Sequence, residues 1–207
     1  MRLDRSKGAR LGDLVYSMTM SVDGYVATAD GDISWTAPSP ELHRFHNERV
    51  AAQDAEILGR RLYEVMLTWE AIDESSDVPE FMKDFARIWK ALPKYVFSRT
   101  LSGVEGTNTV LVGGDVVDEV PALKERHSVI GIGGATLAAA CMAHDLIDEF
   151  QVFVGPAALG GGLPFFPSDG RRVDLELIET NRFDEIAYLR YRRRSASPGA
   201  VRREPNR

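Results

Sequence analysis

The stretch formed by residues 127–145, HSVIGIGGATLAAACMAHD, constrains the fold more than any other part of the chain. An apolar run without alternation is typical of a strand buried on both faces, and here it breaks into glycines and continues as an alanine-rich segment with an apolar stripe at helical spacing. Gly131, Gly133 and Gly134 stand at the junction. Glycines let a ligand approach the backbone, and a helix start offers unpaired N–H groups and a positive dipole end to a phosphate. The stretch therefore predicts a strand, a phosphate-binding turn and a helix.

The length and composition of the chain indicate one soluble domain. Its 207 residues, 44% hydrophobic and 27% charged, can bury one sizeable core. A formal net charge of −6 argues against a general nucleic-acid binder. No apolar run approaches the roughly 18 residues of a membrane span, and the N-terminus lacks an apolar signal core, so we expect a cytoplasmic protein. The single cysteine, Cys141, lies on the apolar helix face, where we expect a buried structural thiol.

Strand and helix patterns alternate along most of the chain. We expect residues 1–13 to be a flexible leader, residues 14–194 to form a single domain and residues 195–207 to be a disordered tail. Two alternating segments at the end of the domain predict an antiparallel hairpin. This order is typical of an α/β sheet that is mainly parallel with an antiparallel edge. In such sheets, ligands bind at the carboxyl ends of the strands.

Two residues, Pro121 and Trp35, affect how individual helices and loops are predicted. Pro121 interrupts a helical pattern, so either the helix begins only two or three residues before it or the pattern misleads. Trp35 lies in a loop rich in glycine and proline, and we expect it to be exposed. Such a loop could cover a ligand.

Four polar turns follow predicted strands and could share one edge of the sheet. They are Asp23-Gly24, Gly59-Arg60, Ser98-Arg99 and Gly133-Gly134. Arginine at a helix start opposes the helix dipole, so Arg60 and Arg61 indicate either a nearby anion or solvated surface cations. The convergence of these turns is the strongest functional indication that the pattern alone provides.

The best-known catalytic motifs do not occur in the sequence. Thr136 stands where a dinucleotide-binding fingerprint would need its last glycine, and there is neither a P-loop nor a nucleophile elbow. His43 and His46 lie three residues apart on a predicted helix, but no H-E-x-x-H motif or carboxylate cluster accompanies them. We therefore expect no metal site.

Six short motifs occur in order along residues 14–194. They are SVDGY (21–25), LGRRLYE (58–64), FSR (97–99), GGA (133–135), IDEF (147–150) and LGGGLPFF (159–166). Together they resemble the dihydrofolate reductase-like family, in particular the branch of the C-terminal reductase domain of the bifunctional riboflavin-biosynthesis deaminase-reductase. The resemblance implies a three-layer fold with a mixed, mainly parallel sheet of about eight strands and a C-terminal antiparallel hairpin. It also implies NADPH as cofactor, a small-molecule substrate and a homodimer.

The resemblance assigns roles to individual residues. The implied cofactor-binding residues are Gly59, Arg60, Arg61, Ser98, Arg99, Gly133, Gly134, Ala135 and Thr136. Ser98 and Arg99 would meet the adenosine 2′-phosphate, which favours NADPH over NADH. Asp23 would face the nicotinamide and the substrate, and Trp35, Gly161 and Gly162 would shape the substrate region.

Departures from the family pattern leave the activity open. Leu62 stands where closer relatives of dihydrofolate reductase have a threonine that contacts phosphate, and no deaminase zinc motif is present. Glu41 follows a Trp-x-x-Pro stretch with one extra residue, so it is either a catalytic acid or a solvated helix residue. Three hypotheses follow. The first is an NADPH-dependent reductase of a small heterocycle such as 5-amino-6-(5-phosphoribosylamino)uracil, the second a pterin or dihydrofolate reductase, and the third a non-catalytic nucleotide-binding dimer.

Overall fold

The computed structural model of the protein describes residues 11–194, so the expected tail and all but the end of the expected leader lie outside the described residues. The strands are β1 (Asp13–Met20), β2 (Tyr25–Ala27), β3 (Ala55–Gly59), β4 (Lys94–Phe97), β5 (Thr109–Val112), β6 (Val129–Gly133), β7 (Glu149–Val154), β8 (Leu163–Pro164), β9 (Leu175–Phe183) and β10 (Ile186–Arg193). The α-helices are α1 (Pro40–Ala51), α2 (Arg60–Met66), α3 (Glu80–Ala91), α4 (Val116–Arg126) and α5 (Ala135–Ala143).

Eight of these strands form one mixed sheet in the order β5-β4-β3-β6-β1-β7-β10-β9. The strands from β5 to β7 are mutually parallel, whereas β10 runs antiparallel to both β7 and β9. The predicted parallel sheet with a C-terminal antiparallel hairpin is therefore confirmed. Because β1, β3, β4 and β6 are parallel, the polar turns that follow them all lie at one edge of the sheet.

Successive side chains of β1 point to opposite faces of the sheet and therefore belong to two different cores. Leu14 and Tyr16 are fully buried in the core that includes residues of α4 and α5. On the opposite face lie Val15, Ser17 and Thr19, towards α1. Helices thus cover both faces of the sheet, and the predicted three-layer arrangement is confirmed.

Helix α4 begins at Val116 and continues through Pro121, so the expected start only two or three residues before the proline is wrong. A proline inside a helix removes one backbone hydrogen bond and costs about 3 kcal/mol. The carbonyl that loses its partner belongs to the exposed residue Val117, where water can replace the bond. Burial of Val120 and Leu123 on the opposite face then stabilises the helix.

The α5 thiol of Cys141 is buried, as predicted, and burial raises its pKa to about 12. Over residues 11–194, no helix is both long enough and apolar enough to cross a membrane.

Candidate active site

The glycine turns that follow β3 and β6 lie side by side. Gly134 adopts a φ of 98°, a conformation that favours glycine, between the end of β6 and the start of α5. A β-carbon added at Gly134 would lie 3.8 Å from the backbone nitrogen of Gly59 and 3.7 Å from the Cβ of Leu62. At Gly133 it would overlap the Cδ2 atom of Leu62. The two turns therefore meet at Leu62. Space requires glycine at Gly133, whereas at Gly134 the positive φ favours it.

Helix α5 starts immediately after this turn. Ala135 and Thr136 are its first residues, and the first helical hydrogen bond runs from the N–H of Ala138 to the carbonyl of Gly134. The N–H groups of the first turn precede any possible helical acceptor, so they are available to a ligand. Thr136 is exposed, while Ala135 is buried. This is the geometry that the sequence predicted for a phosphate-binding turn.

Arginines lie at the start of α2, next to the end of β4. The Nε atom of Arg60 donates to Glu64 at 2.7 Å, and its Nη1 donates to the Thr100 hydroxyl at 3.0 Å. The Thr100 hydroxyl also lies 3.3 Å from the Ser98 Oγ atom. Arg61 is exposed. Arg60, Ser98 and Thr100 thus form one polar group that joins the ends of β3 and β4.

Ser98 and Arg99 line a shallow cleft of about 330 Å³. Arg99 forms an ion pair of 3.1 Å with Asp115, and 76% of its side chain is exposed. Other residues of the cleft are Phe97, Gly114, Val116, Leu137 and Ala140. Since Leu137 and Ala140 belong to α5, the cleft connects the Ser98-Arg99 turn with the helix that follows the glycine turn.

Asp23 anchors a loop, and the Ser98-Arg99 cleft does not include it among its lining residues. Its carboxylate accepts hydrogen bonds from the Ser21 hydroxyl and from the N–H groups of Leu159 and Gly160, at 3.1 and 2.7 Å. The Ser21 hydrogen bond, followed by the two backbone bonds, lowers the pKa of Asp23 to about 2. Asp23 is therefore an ionised anchor of the glycine-rich segment that contains Gly161 and Gly162. At Gly162 a β-carbon would overlap the Ala27 carbonyl oxygen.

Beside the glycine turns, a cavity of about 300 Å³ opens between the sheet and α1. Its volume falls in the range of small-molecule sites. The sheet side is formed by Ser17, Met18, Thr19, Glu56 and Leu58, and the helical side by His43, His46, Arg49, Val50, Gln53, Leu62, Met66, Trp69, Phe85 and Trp89. Because Leu62 lines the cavity and also touches both glycine positions, the cavity adjoins the turns directly.

Three ionisable side chains of the cavity are shifted towards their neutral forms. Burial lowers the pKa of His46 to about 4, with a smaller contribution from His43, and His46 packs 4.4 Å from the ring of Phe153. Burial also lowers the pKa of His43, although its hydrogen bond to Asn47 opposes the shift. Burial raises the pKa of Glu56 to about 8. At neutral pH the cavity therefore holds two neutral imidazoles and a largely protonated carboxyl group.

Trp35 departs from the sequence prediction, whereas the position of Glu41 fits one of the two alternatives that the sequence left open. Trp35 is half-buried, not exposed, because its ring packs where Gly155 lacks a side chain, 3.1 Å from the position of a β-carbon there. Its Nε1 atom is buried without a hydrogen-bond partner. The neighbouring residues Ile33 and Thr36 line the cavity, but Trp35 itself is not among the lining residues. Glu41 is exposed in the first turn of α1, and the cavity lining does not include it.

Sequence reasoning missed Glu56 and Gln53, which are the polar residues at the cavity floor. The usable signal was a single acidic residue inside the apolar run AEILG. Because side chains alternate along a strand, Glu56 had to share a face with Leu58. Ser17 and Thr19, two further polar residues from β1, also line the cavity.

Comparison with protein families identifies the same architecture. The family model of the RibD C-terminal domain matches residues 13–188. A protein of Shewanella sp. PV-4 attributed to riboflavin biosynthesis superposes with a TM-score of 0.70 at 23% identity, over 88% of this chain and 99% of its own.

Two further solved structures share the fold. The Thermotoga maritima diaminohydroxyphosphoribosylaminopyrimidine deaminase/5-amino-6-(5-phosphoribosylamino)uracil reductase superposes with a TM-score of 0.61 at 17% identity, over 88% of this chain and 57% of the enzyme. Dihydrofolate reductase from Enterococcus faecalis, complexed with NADP(H) and RAB-propyl, superposes with a TM-score of 0.58 at 17% identity, over 89% and 98% of the two chains. These superpositions confirm the dihydrofolate reductase-like fold. Since the family model covers almost all of the described residues, the chain belongs to the RibD C-terminal domain family.

Proposed function

We propose that the protein is a reductase that uses NADPH to transfer a hydride to a small heterocyclic substrate similar to 5-amino-6-(5-phosphoribosylamino)uracil. Membership of the RibD C-terminal domain family supports an enzyme of the reductase type. The T. maritima protein with the same fold includes a reductase of this pyrimidine, and the E. faecalis protein was solved with NADP(H). When bound, the dihydronicotinamide supplies the hydride, and the protein binds and orients both reactants.

The observation that carries this proposal is the position of Leu62. This residue contacts the sites of Gly133 and Gly134 and also lines the 300 Å³ cavity. A pyrophosphate bound at the start of α5 would therefore lie next to a chamber large enough for a heterocycle. Hydride transfer requires such adjacency, because the donor and acceptor carbons must approach to about 3–3.5 Å.

Residues around the turns fit the parts of NADPH. Gly133, Gly134 and the first N–H groups of α5 would hold the pyrophosphate, with Gly59 beside them. Ser98, Arg99 and Arg60 supply the hydroxyl and guanidinium groups that suit a 2′-phosphate. Asp115 already pairs with Arg99, so 2′-phosphate binding at Arg99 would compete with that ion pair.

A fluorescence titration tests the cofactor assignment. Trp69 and Trp89 line the cavity, so NADPH binding should quench tryptophan emission or produce energy transfer to the dihydronicotinamide. We expect a Kd in the micromolar range for NADPH and weaker binding of NADH. Absence of NADPH binding at millimolar concentration would overturn the proposal.

The second hypothesis from the sequence, a pterin reductase with Glu41 as its acid, receives no support from the position of Glu41. The third, a non-catalytic nucleotide-binding dimer, predicts tight NADPH binding without oxidation of NADPH by any pyrimidine tested. Absorbance at the dihydronicotinamide band distinguishes that outcome from turnover.

A homodimer is also part of the proposal. The edge strand β9 leaves Leu177 and Ile178 about half exposed, at 50% and 42%. Apolar side chains on an open sheet edge favour association with another chain. Light scattering should give twice the 22.9 kDa mass of the chain, and a mass of 22.9 kDa would contradict this part of the proposal.

A further inference from the structure

Glu56 is a buried carboxylic acid whose side chain lies against the neighbouring strand β6. The residue is only 9% exposed, and a β-carbon at Gly131 would overlap its Oε2 atom. Its Oε1 atom lies 3.2 Å from the position of a β-carbon at Gly133. Among residues 11–194, no side-chain hydrogen bond or ion pair involves Glu56. A polar group so deeply buried without a partner is costly, so a ligand that supplies one would gain binding energy.

Gln53 presents a second unsatisfied group at the same place. Its Nε2 atom lies 2.6 Å from the β-carbon position of Gly131, and its Oε1 atom is buried without a partner. Both Gln53 and Glu56 line the 300 Å³ cavity, whose opposite wall includes Leu62 and Met66. Two unpartnered polar side chains thus share the floor of a chamber that is otherwise mostly apolar, as in small-molecule sites.

The charges around the cavity do not compensate an ionised Glu56. His43 and His46 face the cavity from α1 in their neutral forms, because burial lowers both of their pKa values. Arg49, the cation that lines the cavity, is bound by Glu179. Lys94, which β4 pairs with Glu56 in the sheet, is buried and donates to the backbone carbonyls of Trp89 and Leu92. Burial raises the pKa of Glu56 to about 8, so at neutral pH it offers one O–H donor and one C=O acceptor.

We propose, on the basis of the reductase function above, that Glu56 and Gln53 bind the lactam edge of a planar heterocycle. A lactam presents an N–H beside a C=O, which matches the C=O and O–H of a neutral carboxylic acid in a paired, two-hydrogen-bond arrangement. An amidine edge, which presents two donors, would instead match a carboxylate. Glu56 and Gln53 would thus supply the hydrogen-bonding partners of the pyrimidine substrate already proposed, and a diaminopyrimidine should fit them less well.

Isothermal titration with 6-aminouracil and 2,4-diaminopyrimidine, at about pH 6.5, tests this assignment. The wild-type protein should bind 6-aminouracil more tightly than the diamine. Glu56→Gln should retain 6-aminouracil within a few-fold, because an amide also offers one acceptor beside a donor. Glu56→Leu should weaken it by about tenfold or more, and the exposed control Glu48→Gln should change nothing.

The pH dependence supplies a second readout that does not require Glu56→Leu to fold. Wild-type affinity for 6-aminouracil should fall as the pH rises through about 8, since the ionised carboxylate loses its donor. The affinity of Glu56→Gln for 6-aminouracil should lack the part of the fall that comes from Glu56. Any decrease in affinity that this variant still shows measures ionisation of the ligand itself. Equal behaviour of the two proteins, preference for the diamine, or no binding of 6-aminouracil at millimolar concentration would overturn the assignment.

Failure of this assignment is separable from failure of the proposed function. NADPH is titrated against the same variants, and Glu56→Leu should keep the wild-type affinity for NADPH. Normal NADPH binding with unaltered 6-aminouracil binding in Glu56→Leu would overturn only the role of Glu56. Loss of NADPH binding in the wild type would instead contradict the reductase proposal.

Discussion

Two buried glutamates lie on the same face of the sheet and in the same row of residues, yet their surroundings are opposite. The row runs from Glu56 through Gly131 and Val15 to Glu149. Glu56 is 9% exposed and Glu149 is 2% exposed. Burial acts against the charged form of both carboxyl groups, so the difference between them comes from their partners.

Glu149 is fully partnered. Arg190 donates to both of its oxygens, at 2.6 and 2.9 Å, and Gln151 donates to one of them at 3.1 Å. Burial acts to raise the pKa of Glu149, but the Arg190 and Gln151 hydrogen bonds outweigh it and the pKa is lowered. Arg190 also binds Glu179, which in turn binds Arg49 of α1. This network fastens the C-terminal hairpin and α1 to the sheet.

Glu56 has no such network, because β6 places Gly131 beside it and the Lys94 ammonium of β4 donates to the carbonyls of Trp89 and Leu92 instead. The difference shows that a buried carboxylate of this sheet is ionised and fixed where a guanidinium compensates its burial, whereas the carboxyl group at the cavity has no such compensation. This is the basis of the proposed ligand-binding role of Glu56.

Removing the Arg190 guanidinium, which pairs with Glu149, should have the largest effect on stability. We expect Arg190→Leu to lower the free energy of unfolding by about 3–5 kcal/mol, because it leaves the buried carboxylate of Glu149 without its main counter-charge. Urea denaturation measures the change. The double variant Glu149→Leu/Arg190→Leu should be less destabilised than Arg190→Leu, and a loss below about 1 kcal/mol in the single variant would show that the network is not structural.

Glu56→Gln should alter how stability depends on pH. The folded state holds the proton of Glu56 up to a pKa of about 8, whereas the unfolded chain releases it near the ordinary value of 4.5. The contribution of Glu56 to wild-type stability is complete below about pH 4.5 and is lost as the pH rises to about 8. Over this range the free energy of unfolding should fall by at most roughly 1.4 kcal/mol per pH unit. Glu56→Gln should lack this decline in urea denaturation series, so its stability relative to the wild type should increase with pH. A constant difference would mean that Glu56 ionises normally.

Arg99 is the exposed counterpart of Arg190, since it also pairs with a carboxylate but remains 76% exposed. Arg99→Ala should change the free energy of unfolding by less than about 1 kcal/mol. It should weaken NADPH binding by about tenfold while leaving NADH nearly unchanged, because only NADPH carries the 2′-phosphate. The matched control is Arg172→Ala, which removes another exposed arginine paired with an aspartate. Equal losses for both cofactors would remove Arg99 from the 2′-phosphate role.

Asp23 differs from both Glu56 and Glu149, because its carboxylate is exposed and yet accepts three hydrogen bonds. Asp23→Asn should speed amide hydrogen exchange at Leu159 and Gly160, whose N–H groups it binds. Its lowered pKa contributes stability above the ordinary value of 3.8 and loses it as the pH falls to about 2. The difference between the variant and the wild type should therefore be constant from about pH 5 upwards and shrink in acid. Unchanged exchange at both amides would contradict the anchoring role.

Local features of the fold could be predicted because the signals lie within a few residues. The run from β6 through Gly134 to α5 was predicted from its apolar pattern and its glycines. The start of α1 has an equally local signal, since Ser39 directly precedes Pro40 and the Ser39 hydroxyl accepts the N–H of Leu42 at 3.3 Å. The parallel order of strands then followed from the alternation of elements.

The candidate site could be predicted only in part, since its contacts join distant parts of the chain. Nothing near Asp23 indicates that its partners are the N–H groups of residues 159 and 160. Pairing of β3 with β6 and β4 places Glu56 between Gly131 and Lys94, and the Lys94 ammonium donates to the backbone carbonyls of Trp89 and Leu92 instead of to Glu56. The sequence left Glu41 open between a catalytic acid and a solvated helix residue, and it gave no indication that Glu56 lines the cavity.

The contrast between Glu56 and Glu149 can be measured directly by NMR of the carboxyl carbons in 13C-glutamate-labelled protein. Each signal is assigned by comparison with Glu56→Gln and Glu149→Gln, and chemical shifts are followed from acid to about pH 9. The account predicts a midpoint near 8 for Glu56 and a midpoint below the ordinary 4.5 for Glu149. A Glu56 signal that titrates near 4.5 would contradict a cavity built around a neutral acid.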